Sequence, residues 1–287
     1  MLAGAGAVLI TGEITPHDAL SAINPDVMIF LFGMFVVGEA VSASGFLVKV
    51  ADQICRMADT RDHLLLILIG IMAAASAVLM NDTVAIIATP LVLSLACRYR
   101  IPPSAILLTL CFALTTGSVM SPIGNPQNLL IAMYWNPVDP FLAFASGLLI
   151  PTIISLGLVF LLMRGRCNRE DGGIFCLPEL TPCMDRRLQM VTGFSLVILV
   201  MLIIIRVVGA SFGELAQFPL GIIALISALP ILIGTRQRVD ILRSIDWRTL
   251  VFFAAMFVLM QSAYNCGWFQ SSVPFSQLTT IPMVLTL

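Results

Sequence analysis

Two apolar stretches in this chain are too long for one membrane crossing, and both carry a polar break. The stretch 63–97 is interrupted at Asn81-Asp82-Thr83, and the stretch 104–134 at Ser121-Pro122-Ile123-Gly124-Asn125-Pro126-Gln127-Asn128. Other apolar stretches lie near 1–12, 27–50, 142–163, 188–208, 218–234 and 249–268. A transmembrane helix needs about 20 apolar residues. Backbone that leaves the helix at membrane depth is costly unless it lines a cavity or is buried in protein. The breaks therefore predict an all-α polytopic membrane protein with a polar place at its middle. Composition agrees: 59% of residues are hydrophobic and 11% charged, whereas a soluble domain carries about 25% charged residues.

Several function classes fall away. The single lysine, Lys49, follows Leu47-Val48, so no phosphate loop is present and an ATP-driven motor in this chain is excluded. No HExxH or CxxC pair occurs, so no enzyme and no cofactor is expected. The net charge of −1 gives no reason to expect a nucleic-acid partner. The seven cysteines are scattered. They are expected to be reduced thiols on the cytosolic side, the alternative being a soft-metal or metalloid site on Cys167, Cys176 and Cys183.

The basic residues set the threading. Lys49, Arg56, Arg61, Arg98, Arg100, Arg164, Arg166, Arg169, Arg186, Arg187, Arg236, Arg238, Arg243 and Arg248 all fall on one side if 63–97 enters and returns as a re-entrant hairpin. That side is expected to be the cytoplasm, with the protein in the cell's inner (plasma) membrane. Arg206 is the exception and is expected to snorkel to the outer interface.

An internal repeat follows at an offset of 222 positions. It sets Ile23-Asn24-Pro25-Asp26 on Ile245-Asp246-Trp247-Arg248, and Met34-Phe35-Val36 on Met256-Phe257-Val258. The loop 13–26 has no basic residue and its partner 235–248 has four; the bias reverses beyond the shared helix, between 47–62 and 269–284. The copies are therefore upside down relative to each other, the architecture of secondary transporters. The expected division is a first repeat over 1–187, with the hairpin 63–97 and the broken helix 104–134, and an incomplete second repeat over 188–287. The offset carries Asp82 past Leu287, so the expected gene product continues with a second hairpin.

At the breaks, Asp82 or Thr83 is expected to cap a helix over 84–97, and Asn125-Pro126 to open the next. The half-helices would aim N–H groups and bare carbonyls at a shared gap. Asp82 inside an apolar stretch is a functional residue by default, the alternative being a cap alone. Asn81, Thr83, Ser121, Gly124, Asn125, Gln127 and Asn128 complete the candidate substrate- or ion-binding set. Glu39, whose repeat partner is Gln261, is expected to be a helix-packing hydrogen bonder, the alternative being a proton relay. No metal site is expected from this set.

The runs Asn81 to Pro90 and Ser121 to Asn128 resemble the ion transporter superfamily, and more narrowly its arsenical-pump, citrate-transporter-like branch of anion permeases. The resemblance implies a homodimer with scaffold and transport parts, a small inorganic or organic anion bound between hairpin tip and broken helix, and movement of the transport part across the bilayer. Sodium–dicarboxylate relatives have Ser-Asn-Thr at the tip, where this chain has an aspartate. The expected function is a secondary active transporter of a small anion or oxyacid, arsenite-like or carboxylate-like, coupled to protons or sodium. The alternatives are a sodium/proton antiporter of the same superfamily and a non-transporting relic.

Overall fold

Side-chain caps and prolines begin most of the helices in the computed structural model, which describes residues 1–45, 53, 57–58, 60–135, 139–167, 185–211 and 219–267. After α1 (Leu2–Ile10), Thr15 accepts from the Asp18 N–H to open α2 (Pro16–Ala22). Asn24 accepts from the Asp26 and Val27 N–H groups to open α3 (Pro25–Ala43). Thr60 does the same for α4 (Arg61–Val78) through the His63 N–H. There follow α5 (Asn81–Tyr99), α6 (Pro103–Ser118), α7 (Pro126–Trp135), α8 (Pro140–Cys167), α9 (Arg186–Ser211), α10 (Leu220–Gly234), α11 (Arg238–Ser244) and α12 (Trp247–Asn265). Asp246 caps α12 by accepting from the Thr249 N–H.

Among the described residues every helix or strand is a helix, and six helices are long and apolar enough to cross a membrane: α3, α4, α5, α8, α9 and α12. Their most apolar windows have mean hydropathies from 1.2 to 2.7. Burial separates centre from rim. The α3 window is 61% buried, against 17% for α8 and α9, so α3 is the central helix and α8 and α9 turn their apolar faces outward. Phe30, Leu31 and Met34 of α3 join Leu64, Leu68 and Met72 of α4 in one continuous core. The protein is an all-α, multi-pass membrane protein.

The helices fall into two sets. In one, α10, α9, α11 and α12 gather on α3, with α1 and α2 against α12; in the other, α4, α5, α7 and α8 gather around or follow α6. The sets meet chiefly where α3 packs on α5 and α7.

The repeat offset reappears helix by helix. Shifting by 222 carries Pro16–Ala22 onto Arg238–Ser244 and Pro25–Ala43 onto Trp247–Asn265, matching every end. Each long helix closes on a glycine at positive φ, Gly45 at 67° and Gly267 at 72°. The copies run in opposite directions. Asp246, at the start of α12, lies near Ser42 at the end of α3, while Cys266, past the end of α12, donates its thiol to Glu13, ahead of α3, at 3.1 Å.

Helices α4 and α5 form a hairpin that returns to its own starting side. The Arg61 Nε donates to the Tyr99 carbonyl at 3.1 Å, and the Tyr99 hydroxyl to the Ala58 carbonyl at 3.1 Å. Arg164, near the end of α8, pairs with Asp62 at 3.1 Å in the same layer. The second arm is longer than the sequence led us to expect: it starts at Asn81 and has 19 residues, about 28 Å at 1.5 Å per residue. The chain turns at Leu79-Met80, just ahead of the Asn-Asp-Thr run.

Two other expectations need correction. Cys97 is disulfide-bonded; closure of the hairpin brings the end of α5 back beside the segment that precedes α4. Cys111, Cys167 and Cys266 are free, whereas Cys176 and Cys183 lie outside the described residues, so the three-cysteine alternative does too. Arg206 does not snorkel. Its side chain is 12% exposed and its Nε is 4.0 Å from Asp139 Oδ2, on a carboxylate 3% exposed. Asp139 Oδ1 accepts from the Leu142 N–H at 2.8 Å and so opens α8, and Asp26 adds a second negative charge near Arg206. Burial among α3, α8 and α9 holds the guanidinium where its counter-charges are.

Removing one partner of a buried pair leaves an uncompensated charge, at a cost of about 3–5 kcal/mol. Arg206→Leu is therefore expected to lower the thermal unfolding midpoint in detergent sharply. Arg206→Leu combined with Asp139→Asn should recover much of the loss, because asparagine keeps the cap without the charge. A double variant as unstable as the sum of the singles would show that the pair is not coupled.

Candidate functional site

The site grows from one backbone contact between the breaks. The Asn81 N–H, at the start of α5, donates to the Gly124 carbonyl in the break between α6 and α7, at 2.9 Å. A helix start has orphan N–H groups that need partners. Here the other break supplies one, so α5 opens at Asn81 with Met80 as N-cap and no side-chain cap. The Asn81 side-chain oxygen accepts from the Asp82 N–H at 2.9 Å. Asp82 is therefore not the N-cap, and its carboxylate is free to face outward from the first turn.

The second break is held by its own amides. Asn128 Nδ2 donates to the carbonyls of Ser118, Val119 and Ser121 at 3.1, 3.2 and 2.9 Å. The carbonyls ending α6, expected to be bare, are thus satisfied from within. Asn125 Oδ1 accepts from the Asn128 N–H at 2.7 Å and caps α7, while its Nδ2 reaches Ser118 Oγ at 3.4 Å. Ser121 Oγ accepts from the Ile123 N–H at 3.3 Å. Gly124 is required here: a Cβ would collide with the Ser118 carbonyl. Ser121, Gly124, Asn125 and Asn128 shape the break, and Gln127 is exposed beside it.

Asp82 and Thr83 turn to a different wall. They line a cavity of about 80 Å³ with Phe35, Gly38, Glu39 and Ser42 of α3, Ile86 and Ile87 of α5, and Ser244, Ile245, Asp246 and Thr249 around the start of α12. One water needs roughly 10–15 Å³, so the space takes a small hydrated ion or a small oxyacid. Its polar lining among the described residues is three carboxylates and four hydroxyls, with no basic side chain. Gly38 makes the approach possible, since a Cβ there would meet the Thr83 methyl. The cavity lies where the two helix sets meet.

Sequence reasoning placed Asp82 and Thr83 in the site but missed Asp246 and assigned Glu39 to helix packing. Asp246 carried one available signal: it is the offset partner of Asn24, a capping position that is acidic only in the second copy. Its Oδ1 accepts from the Thr249 N–H and its Oδ2 from the Thr249 hydroxyl, at 3.1 and 2.6 Å.

An inverted helical repeat with two apposed breaks is the architecture of secondary transporters. The chain belongs to the citrate transporter family, whose profile matches residues 1–286. It is 30% identical over 178 residues to a silicon efflux transporter of Oryza sativa subsp. japonica, covering 62% of this chain and 36% of that protein. An uncharacterized transporter of Mycobacterium bovis is 25% identical over 281 residues, 93% of this chain and 63% of that protein. The inner membrane protein YbiR of Escherichia coli K12 is 26% identical over 248 residues, 85% of this chain and 60% of its own length. The chain thus spans less than two thirds of these relatives.

Asn128→Ala removes three hydrogen bonds to the carbonyls that end α6, each worth about 0.5–1.5 kcal/mol, and is expected to lower the unfolding midpoint. Asn128→Asp should be worse, because it aims an acceptor at three carbonyl oxygens. Thermal melts of the two variants in detergent check the order; the reverse order would mean that the amide does not donate there.

Proposed function

We propose that the protein is a secondary active transporter of the plasma membrane, moving a small oxyacid or anion coupled to protons or sodium. The observation that carries the reading is the acidic cavity between the helix sets, with Asp82 at the hairpin tip. A carboxylate can take up a proton or a sodium ion, whereas the hydroxyls of Ser42, Thr83, Ser244 and Thr249 can hold oxygen-bearing solutes in either charge state. Three carboxylates without a base repel an unaccompanied anion. A substrate would enter this cavity as an undissociated oxyacid or together with its coupling cation. The rice relative's name, a silicon efflux transporter, supports an oxyacid.

Release of the cargo on the far side needs the hairpin set to move against α3. The scarcity of contacts between the sets supports that motion. The gathering of Arg61, Arg164 and Tyr99 in one layer supports threading with the basic end cytoplasmic. The outward apolar face of α8, with Ile150, Ile153, Ile154 and Leu161 exposed, suits the lipid of a bilayer; the homodimer rests on the family resemblance. The acid-only lining also favours a second reading, sodium/proton antiport.

Reconstitution of the complete protein into liposomes tests both readings. Arsenite, antimonite, citrate, sulfate and silicic acid would be offered under imposed proton or sodium gradients. Saturable, gradient-driven uptake of one of them is expected, and Asp82→Asn should reduce it to the level of empty liposomes while leaving folding intact. Sodium-dependent dissipation of a proton gradient with no solute flux would establish the antiporter instead. Wild-type coupling in Asp82→Asn would remove that residue from the mechanism.

A further inference from the structure

A second concavity, sharing no lining residue with the acidic one, lies between α9 and α10. It measures about 610 Å³ and is lined by apolar side chains, among them Met190, Phe194 and Ile198 of α9 and Ile226, Leu229 and Ile233 of α10. Met190, Phe194 and Ile233 are exposed, at 64%, 60% and 74%, so none of the described residues fills it. The groove ends at Gly234, whose carbonyl accepts from Arg187 Nε at 3.1 Å. Arg187, its chain neighbour Arg186, and Arg236 and Arg238, which follow Gly234 within four residues, are all exposed. The acids nearby are Asp185 and Asp240, and Asp185 is engaged, accepting from the Arg187 N–H at 2.9 Å and from Gln237 Nε2 at 3.4 Å.

We infer that this groove binds an anionic phospholipid, one acyl chain lying between α9 and α10 and the phosphate resting on the arginines at its mouth. The apolar length alone selects nothing, since a lipid tail leaves one hydrocarbon environment for another. Discrimination has to come from the headgroup, and basic residues at the end of an interhelical groove are what an anionic headgroup needs. The lipid would stiffen the α3-centred helix set, because both α9 and α10 pack on α3.

The test is lipid retention by the purified full-length protein, equilibrated with equal amounts of phosphatidylglycerol and phosphatidylcholine and read by native mass spectrometry. Wild type should retain phosphatidylglycerol preferentially, by roughly fivefold for each arginine engaged. Arg186→Gln, Arg236→Gln and Arg238→Gln together leave the Arg187 contact in place and should reduce the preference to at most the roughly fivefold that one arginine supplies. Leu229→Trp should fill the groove and abolish retention of both lipids. Equal retention by wild type, or an unchanged preference in the arginine variant, overturns the inference. So does conversion of a dimer to monomers by Leu229→Trp, which would assign the groove to a second copy of the chain. If Leu229→Trp does not elute as a folded species, the arginine variant decides alone.

Discussion

The hydrogen bond from the Asn81 N–H to the Gly124 carbonyl is the contact on which the architecture turns. Two helix interruptions in a membrane protein expose polar backbone where no water can satisfy it. This bond lets one interruption answer the other. It fixes the hairpin tip against the broken helix, removes the need for a side-chain cap on α5, and so leaves Asp82 with no capping duty. Asn128 completes the closure by gathering the carbonyls at the end of α6. With the backbone groups consumed internally, the chemistry at the tip passes to side chains.

Inversion then brings the second copy into play. In the first copy, Asn24 caps α3 at one end of the bundle. In the second copy the corresponding Asp246 caps α12 at the opposite end, beside Glu39 and Asp82. The same local motif thus does a folding task in one copy and adds a charge to the cavity in the other. The acidic character of the cavity comes from both copies and from the hairpin, and no single segment carries it.

Much of this was legible in the chain. Polar residues inside apolar stretches identified both breaks, because the bilayer penalises them wherever they lack a purpose. Offset identities and reversed loop charge located α2–α3 and α11–α12, whose ends agree to the residue. What escaped depends on partners distant in sequence. The start of α5 was placed at 84 because a cap was sought nearby, whereas its partner, Gly124, lies in another helix break. Arg206 was sent to the interface as the one basic residue off the shared side; Asp139, distant in sequence, pairs with it instead. Glu39 was weighed against its repeat partner Gln261, yet its neighbours in the cavity, Asp82 and Asp246, stand at positions that the offset does not pair with it.

Gly38 has a mechanical meaning as well as a steric one. Much of α3 presents branched and aromatic knobs to its neighbours, and Gly33 lets it close on the backbone of Ala224 in α10. At the one glycine facing the hairpin tip it offers bare backbone to the methyl of Thr83. Interlocked surfaces resist shear, whereas a methyl group over a flat stretch of helix meets low resistance along the axis. On the transport reading proposed above, that small area is a bearing surface, and its smoothness would set how easily the tip glides past the central helix.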